Sequence, residues 1–173
     1  MSKPRIVILI VVAAVVIVGV KLFSGDCSRS RKLTIRGDSM AGILNNADEV
    51  SARIGYYDCH DPALNDIVVL KYGGENSAPL AKQIRGVGGD VLSFGQDDYS
   101  SFLMLNGVPL LTTENKFFYI DSTSRKLLSS YLQQGGSIRK DVYLVLGNQP
   151  IGSTDSRSFG LIGKPQFIGR ILR

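Results

Sequence analysis

The chain has 173 residues, 44% of them hydrophobic, and carries 20 Lys and Arg against 15 Asp and Glu, which gives a formal net charge of +5. This length allows one domain, or one domain with an anchor. The moderate positive charge suits contact with anionic lipid headgroups better than sequence-specific reading of DNA, and we find no nucleic-acid-binding motif, so no nucleic-acid partner is expected.

The first predicted element is a membrane anchor over residues 6–23, which follows a short N-terminus, residues 1–5. The segment 6–20 is unbroken in its apolar character, and Lys21 is followed by Leu22 and Phe23. About 18 residues span roughly 27 Å as a helix, which is enough for a bilayer core. The alternative is a secretory signal peptide that is cleaved off. Its cleavage site needs small residues at positions −3 and −1, and the residues at the end of the apolar run fit this pattern poorly, so an uncleaved anchor is favoured.

After a predicted linker, residues 24–32, the pattern is mainly β. An Asn106-Gly107 pair between apolar runs is a strong signal for a β-hairpin. One short helix is expected within 124–134. The sequence therefore predicts a mainly β fold, a folded sheet or barrel. The predicted strands cover residues 33–36, 48–54, 66–71, 79–84, 91–94, 102–105, 108–111, 142–146 and 166–171.

The two cysteines, Cys27 and Cys59, could form a disulfide outside the cytoplasm or remain as free thiols, and the sequence leaves both possibilities open. His60, the single histidine, lies beside Cys59. Neighbouring residues in one turn rarely converge on a metal ion, so we expect no metal and no other cofactor.

Candidate catalytic residues begin with Ser39, which follows the strand-like run 33–36 in a Gly37-Asp38-Ser39 turn. Such a turn is ordinary by itself. Lys82 lies among aliphatic residues in the strand-like run 78–84, where an edge-strand lysine is the simpler interpretation. A polar loop, residues 147–160, follows a late strand. Together these three segments suggest a serine nucleophile with a lysine base.

Lysine can act as a base only when it is neutral. Its pKa is about 10.4 in water, so neutrality at pH 7 requires the pKa to fall by about 3.5, which corresponds to about 5 kcal/mol. Burial against apolar side chains can lower the pKa of a lysine that far, and Leu80, Ala81, Ile84 and Val87 supply apolar neighbours.

These segments resemble the type I signal peptidases, the membrane-anchored Ser–Lys proteases of the S26 family. Gly37-Asp38-Ser39-Met40 is similar to the family's nucleophile motif. The run 65–70 resembles the strand that follows it, residues 81–90 resemble the lysine motif, and residues 147–160 resemble the last motif. Four motifs in this order after a membrane span make the resemblance close, and it covers nearly the whole chain.

The resemblance implies a peptidase domain over residues 33–173, with Ser39 as nucleophile and Lys82 as general base. Ser153 would orient the lysine through a hydrogen bond, and Asp155 and Arg157 would form a supporting ion pair. The backbone N–H of Ser39 would contribute to an oxyanion hole. Pockets for small side chains of the substrate would be formed by Ile35, Met40, Leu44 and Ala81.

The resemblance also implies the substrate class and the location. The substrates would be exported precursor proteins with N-terminal signal peptides, cut after small residues. Such cleavage occurs on the far side of the membrane, so the N-terminus would be cytoplasmic and the domain extracytoplasmic. The positive residues after the span, by contrast, weakly favour a cytoplasmic domain.

The sequence departs from the family pattern in two motifs. Ala41 replaces a usual proline, and Asn148-Gln149-Pro150 replaces Asp-Asn-Arg. These departures leave room for a specialised branch, such as the peptidases that process pilins for conjugal transfer. Residues 94–139 would form a small, variable cap to which we assign no roles.

Two other functions remain as alternatives. One is a non-enzymatic, membrane-anchored β-domain of a secretion or conjugation machine. The other is a self-cleaving Ser–Lys regulator of the SOS-repressor kind, for which the sequence shows neither a DNA-binding domain nor a cleavable Ala-Gly bond in a suitable place.

Overall fold

The computed structural model describes residues 27–74, 76–98 and 100–172. The predicted N-terminus, residues 1–5, and the predicted anchor, residues 6–23, lie outside them. Among the described residues, no helix has the length and apolar character that crossing a bilayer requires.

The larger of two sheets has seven strands, and each neighbouring pair in it is antiparallel. The spatial order is β1-β2-β11-β3-β4-β9-β10, so the last long strand, β11, inserts between two early ones. The strands are β1 (Arg29–Thr34), β2 (Glu49–Ile54), β3 (Ile67–Leu70), β4 (Leu80–Gly86), β9 (Val142–Leu146), β10 (Ile162–Gly163) and β11 (Phe167–Leu172).

The smaller sheet is formed by the middle of the chain, largely within the predicted cap. It comprises β5 (Leu92–Gln96), β6 (Ser101–Leu105), β7 (Val108–Pro109) and β8 (Tyr119–Ile120), and α1 (Ser122–Ser129) follows it. The predicted hairpin joins β6 to β7. Asn106 and Gly107 both have positive φ angles, 51° and 79°, as the favoured two-residue hairpin turn requires.

Apolar side chains pack in three clusters, and one of them joins the two sheets. That cluster combines residues of the smaller sheet and of α1 with residues of β9, and it includes Leu103, Leu128 and Leu144, none of which is exposed. A second cluster lies on the middle strands of the larger sheet. The third lies beneath the turn that carries Ser39. The cap is therefore fixed to the larger sheet through a shared core.

The fold confirms the mainly β prediction, with differences at several boundaries. Strand β1 begins at Arg29, inside the predicted linker, because residues 29–32 pair with β2 as an exposed edge strand. Residues 29–32 are polar, so they lack the alternation of apolar and polar side chains by which a strand is recognised in a sequence.

The helix α1 overlaps the predicted region, 124–134, but it begins two residues earlier and is shorter. It starts at Ser122 because the side chain of Asp121 accepts a hydrogen bond from the Ser124 N–H (2.7 Å). Gly135 and Gly136, both with positive φ, lie in a later turn and not in the helix. A second, four-residue helix, α2 (Ser156–Phe159), was not predicted from the sequence.

Candidate active site

Ser39 lies in the turn that follows β1. Backbone hydrogen bonds from Ala41 N–H to Asp38 O (2.9 Å) and from Leu44 N–H to Met40 O (2.8 Å) close this turn. Gly37 enters it with a φ of 82°, a conformation that glycine adopts at little cost. The sequence prediction of a strand followed by a turn is confirmed here, and the turn leaves Ser39 half-buried.

Lys82 lies in the middle of β4 and is only 1% exposed, which places it among the largest fully buried side chains of the described residues. Its neighbour across the sheet, Val68 on β3, is completely buried. The Nζ atom of Lys82 lies 2.6 Å from the Oγ atom of Ser39. The structure therefore brings the two predicted catalytic side chains within hydrogen-bond distance.

The surroundings of Lys82 favour the neutral amine. Its pKa is lowered from the usual value, chiefly because burial removes the ammonium group from water. The negative charge of Asp155 acts in the opposite direction, and the positive charge of Arg157 adds to the lowering. A simple edge-strand lysine is excluded, since β4 is paired on both sides, with β3 and β9.

The loop after β9 is the third segment that borders the site, after the turn that carries Ser39 and strand β4. The backbone N–H of Asn148 donates to Ser39 O (2.7 Å), and the backbone N–H of Gly147 donates to Asp155 Oδ2 (3.0 Å). A Cβ atom on Gly147 would collide with Ser153 Oγ and Ser39 O. Only glycine therefore allows the loop to approach this closely the turn that carries the candidate nucleophile Ser39 (residues 37–44, the nucleophile turn).

Asp155 and Arg157 form the predicted ion pair, and both are buried. The guanidinium group uses Nε (2.9 Å) and Nη2 (2.8 Å) to bind the two carboxylate oxygens. It also donates to backbone oxygens of Gln149 and Pro150. The pair thus closes the loop 149–157 and packs against Phe118 of the cap, whose ring lies 5.3 Å from the guanidinium carbon.

Ser153 lies in this loop and is buried, but its hydroxyl group has no hydrogen-bond partner among the described residues. The predicted hydrogen bond from Ser153 to Lys82 is therefore not formed in this structure. The close approach of Ser153 Oγ to Gly147, which itself abuts Ser39 O, nevertheless places Ser153 at the edge of the site.

The four predicted pocket residues gather in one apolar cluster. Ile35, Met40 and Leu44 are buried members of it, and half-buried Ala81 packs against them. Met40 and Ala81 are the immediate neighbours in the chain of Ser39 and Lys82. The structure thus brings these residues together next to the two candidate catalytic side chains.

In the sequence, Asn148 stands out only as a departure from the family pattern, and its contacts were not predicted. Its side chain is 4% exposed and forms hydrogen bonds to the nucleophile turn and to the cap. A buried polar side chain is seldom left without partners. Nothing in the local sequence identifies those partners, because Ala41 and Thr113 are distant in the chain.

Cys27 and Cys59 form a disulfide, with Cα atoms 6.0 Å apart, so the structure decides between the two possibilities that the sequence left open. His60 stacks on the ring of Tyr56 at 4.1 Å, and its Nδ1 lies 2.9 Å from Tyr56 O. Within the described residues, His, Cys, Asp and Glu form no group of three that could hold a metal ion.

The arrangement can support nucleophilic catalysis. An alcohol next to a buried amine with a lowered pKa can lose its proton as it attacks an electrophilic carbon. A buried ion pair and a close-packed glycine keep the nearby loop rigid.

Comparisons with known proteins agree on one family. The model of the family described as "Signal peptidase, peptidase S26" matches residues 4–172. Signal peptidase IB of Staphylococcus aureus strain COL is 31% identical over 146 residues, which cover 80% of this chain and 73% of that protein. The same protein from S. aureus strain Mu50 matches to the same extent.

Among solved structures, a signal peptidase I from Enterococcus faecalis V583 is similar to this chain. It is 25% identical, with a TM-score of 0.41, and the match covers 66% of this chain and 98% of the other.

Proposed function

The chain belongs to the S26 family of signal peptidases and is a serine peptidase, and from this we propose that it removes N-terminal signal peptides from exported precursors with a Ser–Lys dyad. The observation that carries the proposal is the distance of 2.6 Å between Ser39 Oγ and Lys82 Nζ at a lysine that is 1% exposed. A histidine base is disfavoured because His60 stacks on Tyr56 in an exposed turn.

Neutral Lys82 accepts the hydroxyl proton of Ser39 as Oγ attacks the carbonyl carbon of the scissile peptide bond. The same proton then passes from the lysine to the leaving amine, and an acyl-enzyme remains. Lys82, neutral again, takes a proton from the water molecule that attacks the ester carbonyl and passes it to Ser39 Oγ as the ester bond breaks, which restores both side chains. Burial lowers the pKa of Lys82 and so favours the neutral amine that the first step requires.

The oxyanion of each tetrahedral intermediate would bind the backbone N–H of Ser39. No side-chain hydroxyl of residue 37 can assist, since this residue is glycine. Asp155 and Arg157 act at a distance by holding the loop that carries Ser153, and Ser153 orients Lys82 when the site is occupied.

The substrate binds as an extended strand between the segments that carry Ser39 and Lys82. Ile35, Met40, Leu44 and Ala81 are apolar and tightly packed. We expect an apolar site formed by these residues to accept small side chains, such as alanine, on the residues before the cleaved bond.

The enzyme is held in the cell membrane by residues 6–23, with its N-terminus in the cytoplasm and its catalytic domain outside. The Cys27–Cys59 disulfide supports this orientation, because disulfides persist in oxidising compartments and are rare in the cytosol. Arg29, Arg31 and Lys32 are exposed on β1 and would face anionic lipid headgroups close to the anchor.

The test uses the full chain in detergent and a precursor with an Ala-x-Ala cleavage site. The wild type should cut after the second alanine, and Ser39→Ala and Lys82→Ala should each abolish cutting. Precursor that stays intact with the wild type would favour the non-enzymatic alternative, a scaffold of a secretion machine. Cutting that survives both substitutions would exclude the dyad.

A further inference from the structure

Asn148 joins three parts of the molecule that are far apart in the chain. It follows β9 after a single glycine, and its backbone N–H binds Ser39 O at 2.7 Å. Its side-chain Nδ2 donates to Ala41 O (2.7 Å) and to Thr113 Oγ1 (2.6 Å). Its Oδ1 accepts from the backbone N–H of Thr113 (3.0 Å). The nucleophile turn, the cap and the larger sheet therefore meet at one buried amide.

The partners fix the orientation of this amide. A backbone carbonyl such as Ala41 O can only accept a hydrogen bond, and the backbone N–H of Thr113 can only donate one. Nδ2 must therefore face Ala41 and Oδ1 must face Thr113. An aspartate here would have no donor and would place a negative oxygen against Ala41 O.

The amide also links the nucleophile to the strand that carries the base. β9 pairs with β4 through Leu146 and Gln83, the residue after Lys82. Two residues beyond Leu146, Asn148 holds the carbonyl groups of Ser39 and Ala41, one on each side of Met40. Lys82 is thus linked to Ser39 through the β4–β9 pairing and the hydrogen bond from the Asn148 N–H to Ser39 O (2.7 Å).

Gly42 shows how closely the turn fits around the amide. Its φ is +84°, and a Cβ atom there would lie 2.8 Å from Thr113 Oγ1 and 3.0 Å from Asn148 Nδ2. Both the backbone conformation and the available space require glycine next to Ala41, so the turn has little freedom to adjust when the amide is changed.

We propose that Asn148 is a positioning residue that holds the Ser39 turn in register with Lys82, and that Thr113 of the cap is its second anchor. The inference rests on the proposed function, since it concerns how the dyad is assembled. It requires an amide at position 148, with a donor for Ala41 and an acceptor for the Thr113 N–H.

The test compares kcat and KM of Asn148→Asp and the wild type, normalised to the folded fraction measured by circular dichroism. Asn148→Asp keeps the size of the side chain but removes both donors. A misplacement of the nucleophile by about 1 Å can cost on the order of 100-fold in rate. We expect kcat to fall roughly 10- to 100-fold, with KM within about threefold of the wild type.

Asn46→Asp is the matched control. Asn46 lies in the same connection between β1 and β2, and its side-chain oxygen accepts from the Gly37 N–H (2.9 Å), which a carboxylate can also do. It adds the same negative charge nearby and should leave kcat within about twofold of the wild type, as expected for an exposed surface change. An Asn148→Asp enzyme with the kcat of the wild type, or an equal loss in Asn46→Asp, would overturn the inference.

Thr113 provides a second pair of variants if Asn148→Asp does not fold. Thr113→Val removes the hydroxyl group, and Thr113→Ser restores it. Loss of one hydrogen bond should lower kcat several-fold in Thr113→Val and leave Thr113→Ser unchanged. Equal rates for the two would refute the role of the cap. Wild-type protein that cuts no precursor would instead count against the proposed function itself.

Discussion

Lys82 Nζ lies 2.6 Å from Ser39 Oγ, although the two residues are 43 positions apart in the chain. The contact depends on the antiparallel order of the larger sheet, in which β1 and β4 are separated by β2, β11 and β3. Strand β1 is at the edge of that sheet, and the turn that follows it leaves the sheet. Ser39, which lies in this turn, can therefore reach Lys82 on β4.

Activity should rise with pH through the pKa of Lys82. Only the neutral amine can accept the proton of Ser39, and protonation below the pKa removes this capacity. Since burial lowers that pKa, the rise should occur below the pH at which an exposed lysine titrates. The profile of kcat/KM between pH 5 and pH 10 tests this. A rise delayed until about pH 10 would contradict it, because that is where a lysine in water titrates.

Replacing Lys82 by methionine should stabilise the protein at neutral pH while it abolishes activity. The pKa of Lys82 is lower in the folded than in the unfolded state, so unfolding binds a proton and stability increases with pH. The cost of burying this amine is present at pH 7 and disappears above the pKa of the unfolded chain. Lys82→Met should therefore raise Tm at pH 7 by several degrees, and the gain should shrink towards pH 11. An equal Tm at pH 7 would show that burial of Lys82 has no cost.

Arg157→Ala should destabilise the domain strongly. It leaves the carboxylate of Asp155, which is 0% exposed, without its cation. Loss of one partner of a buried ion pair typically costs about 3 to 5 kcal/mol. Denaturant unfolding in detergent measures the difference in the free energy of unfolding.

Lys116→Ala is the control for this variant. Lys116 and Glu114 also form an ion pair, with Nζ and Oε2 2.6 Å apart, but both side chains are more than half exposed. Water screens such a pair, so its loss should leave stability unchanged within error. If the two variants lowered the free energy of unfolding equally, burial would not determine how much the Asp155–Arg157 pair contributes to stability.

Reduction of the Cys27–Cys59 disulfide should lower stability and leave the dyad intact. The bond closes a loop of 32 residues between the start of the domain and the turn after β2. Chain entropy for such a loop corresponds to roughly 3 to 4 kcal/mol. Cys59→Ser should lower Tm by a matching amount, while kcat measured well below Tm should stay within about twofold of the wild type. A large loss of kcat at full folding would place the disulfide in the catalytic mechanism.

His60→Ala should leave turnover within a few-fold. The ring stacks on Tyr56 in an exposed turn, and the proposed mechanism assigns it no proton. Cleavage assays at pH 7 and pH 8 suffice to check this. A thousandfold loss would favour a mechanism with a histidine base.

Much of the local structure could be predicted from the sequence. Val142–Leu146 is a strand with the predicted bounds, and the turn at Asn106-Gly107 follows from residues that tolerate positive φ. The residues that the sequence proposed as nucleophile and base, Ser39 and Lys82, lie together. The conformational preferences of neighbouring residues and the order of the motifs along the chain were sufficient to predict these features.

Long-range contacts were beyond local reasoning. The strand character of residues 29–32 arises from pairing with β2, and the role of Asn148 arises from Ala41 and Thr113, neither of which is near it in the chain. The pairing of Cys27 with Cys59 was equally open until the fold placed them together.

By itself, the sequence was enough to predict most of the strands and turns and to propose Ser39 and Lys82 as the catalytic pair, because these depend on neighbours within a few positions and on the order of the motifs. Tertiary structure decided the distance from Ser39 to Lys82, the burial that lowers the lysine's pKa and the three-way contact of Asn148. Each of those depends on packing between segments that only a folded sheet brings together, and packing, not local preference, sets distances and desolvation.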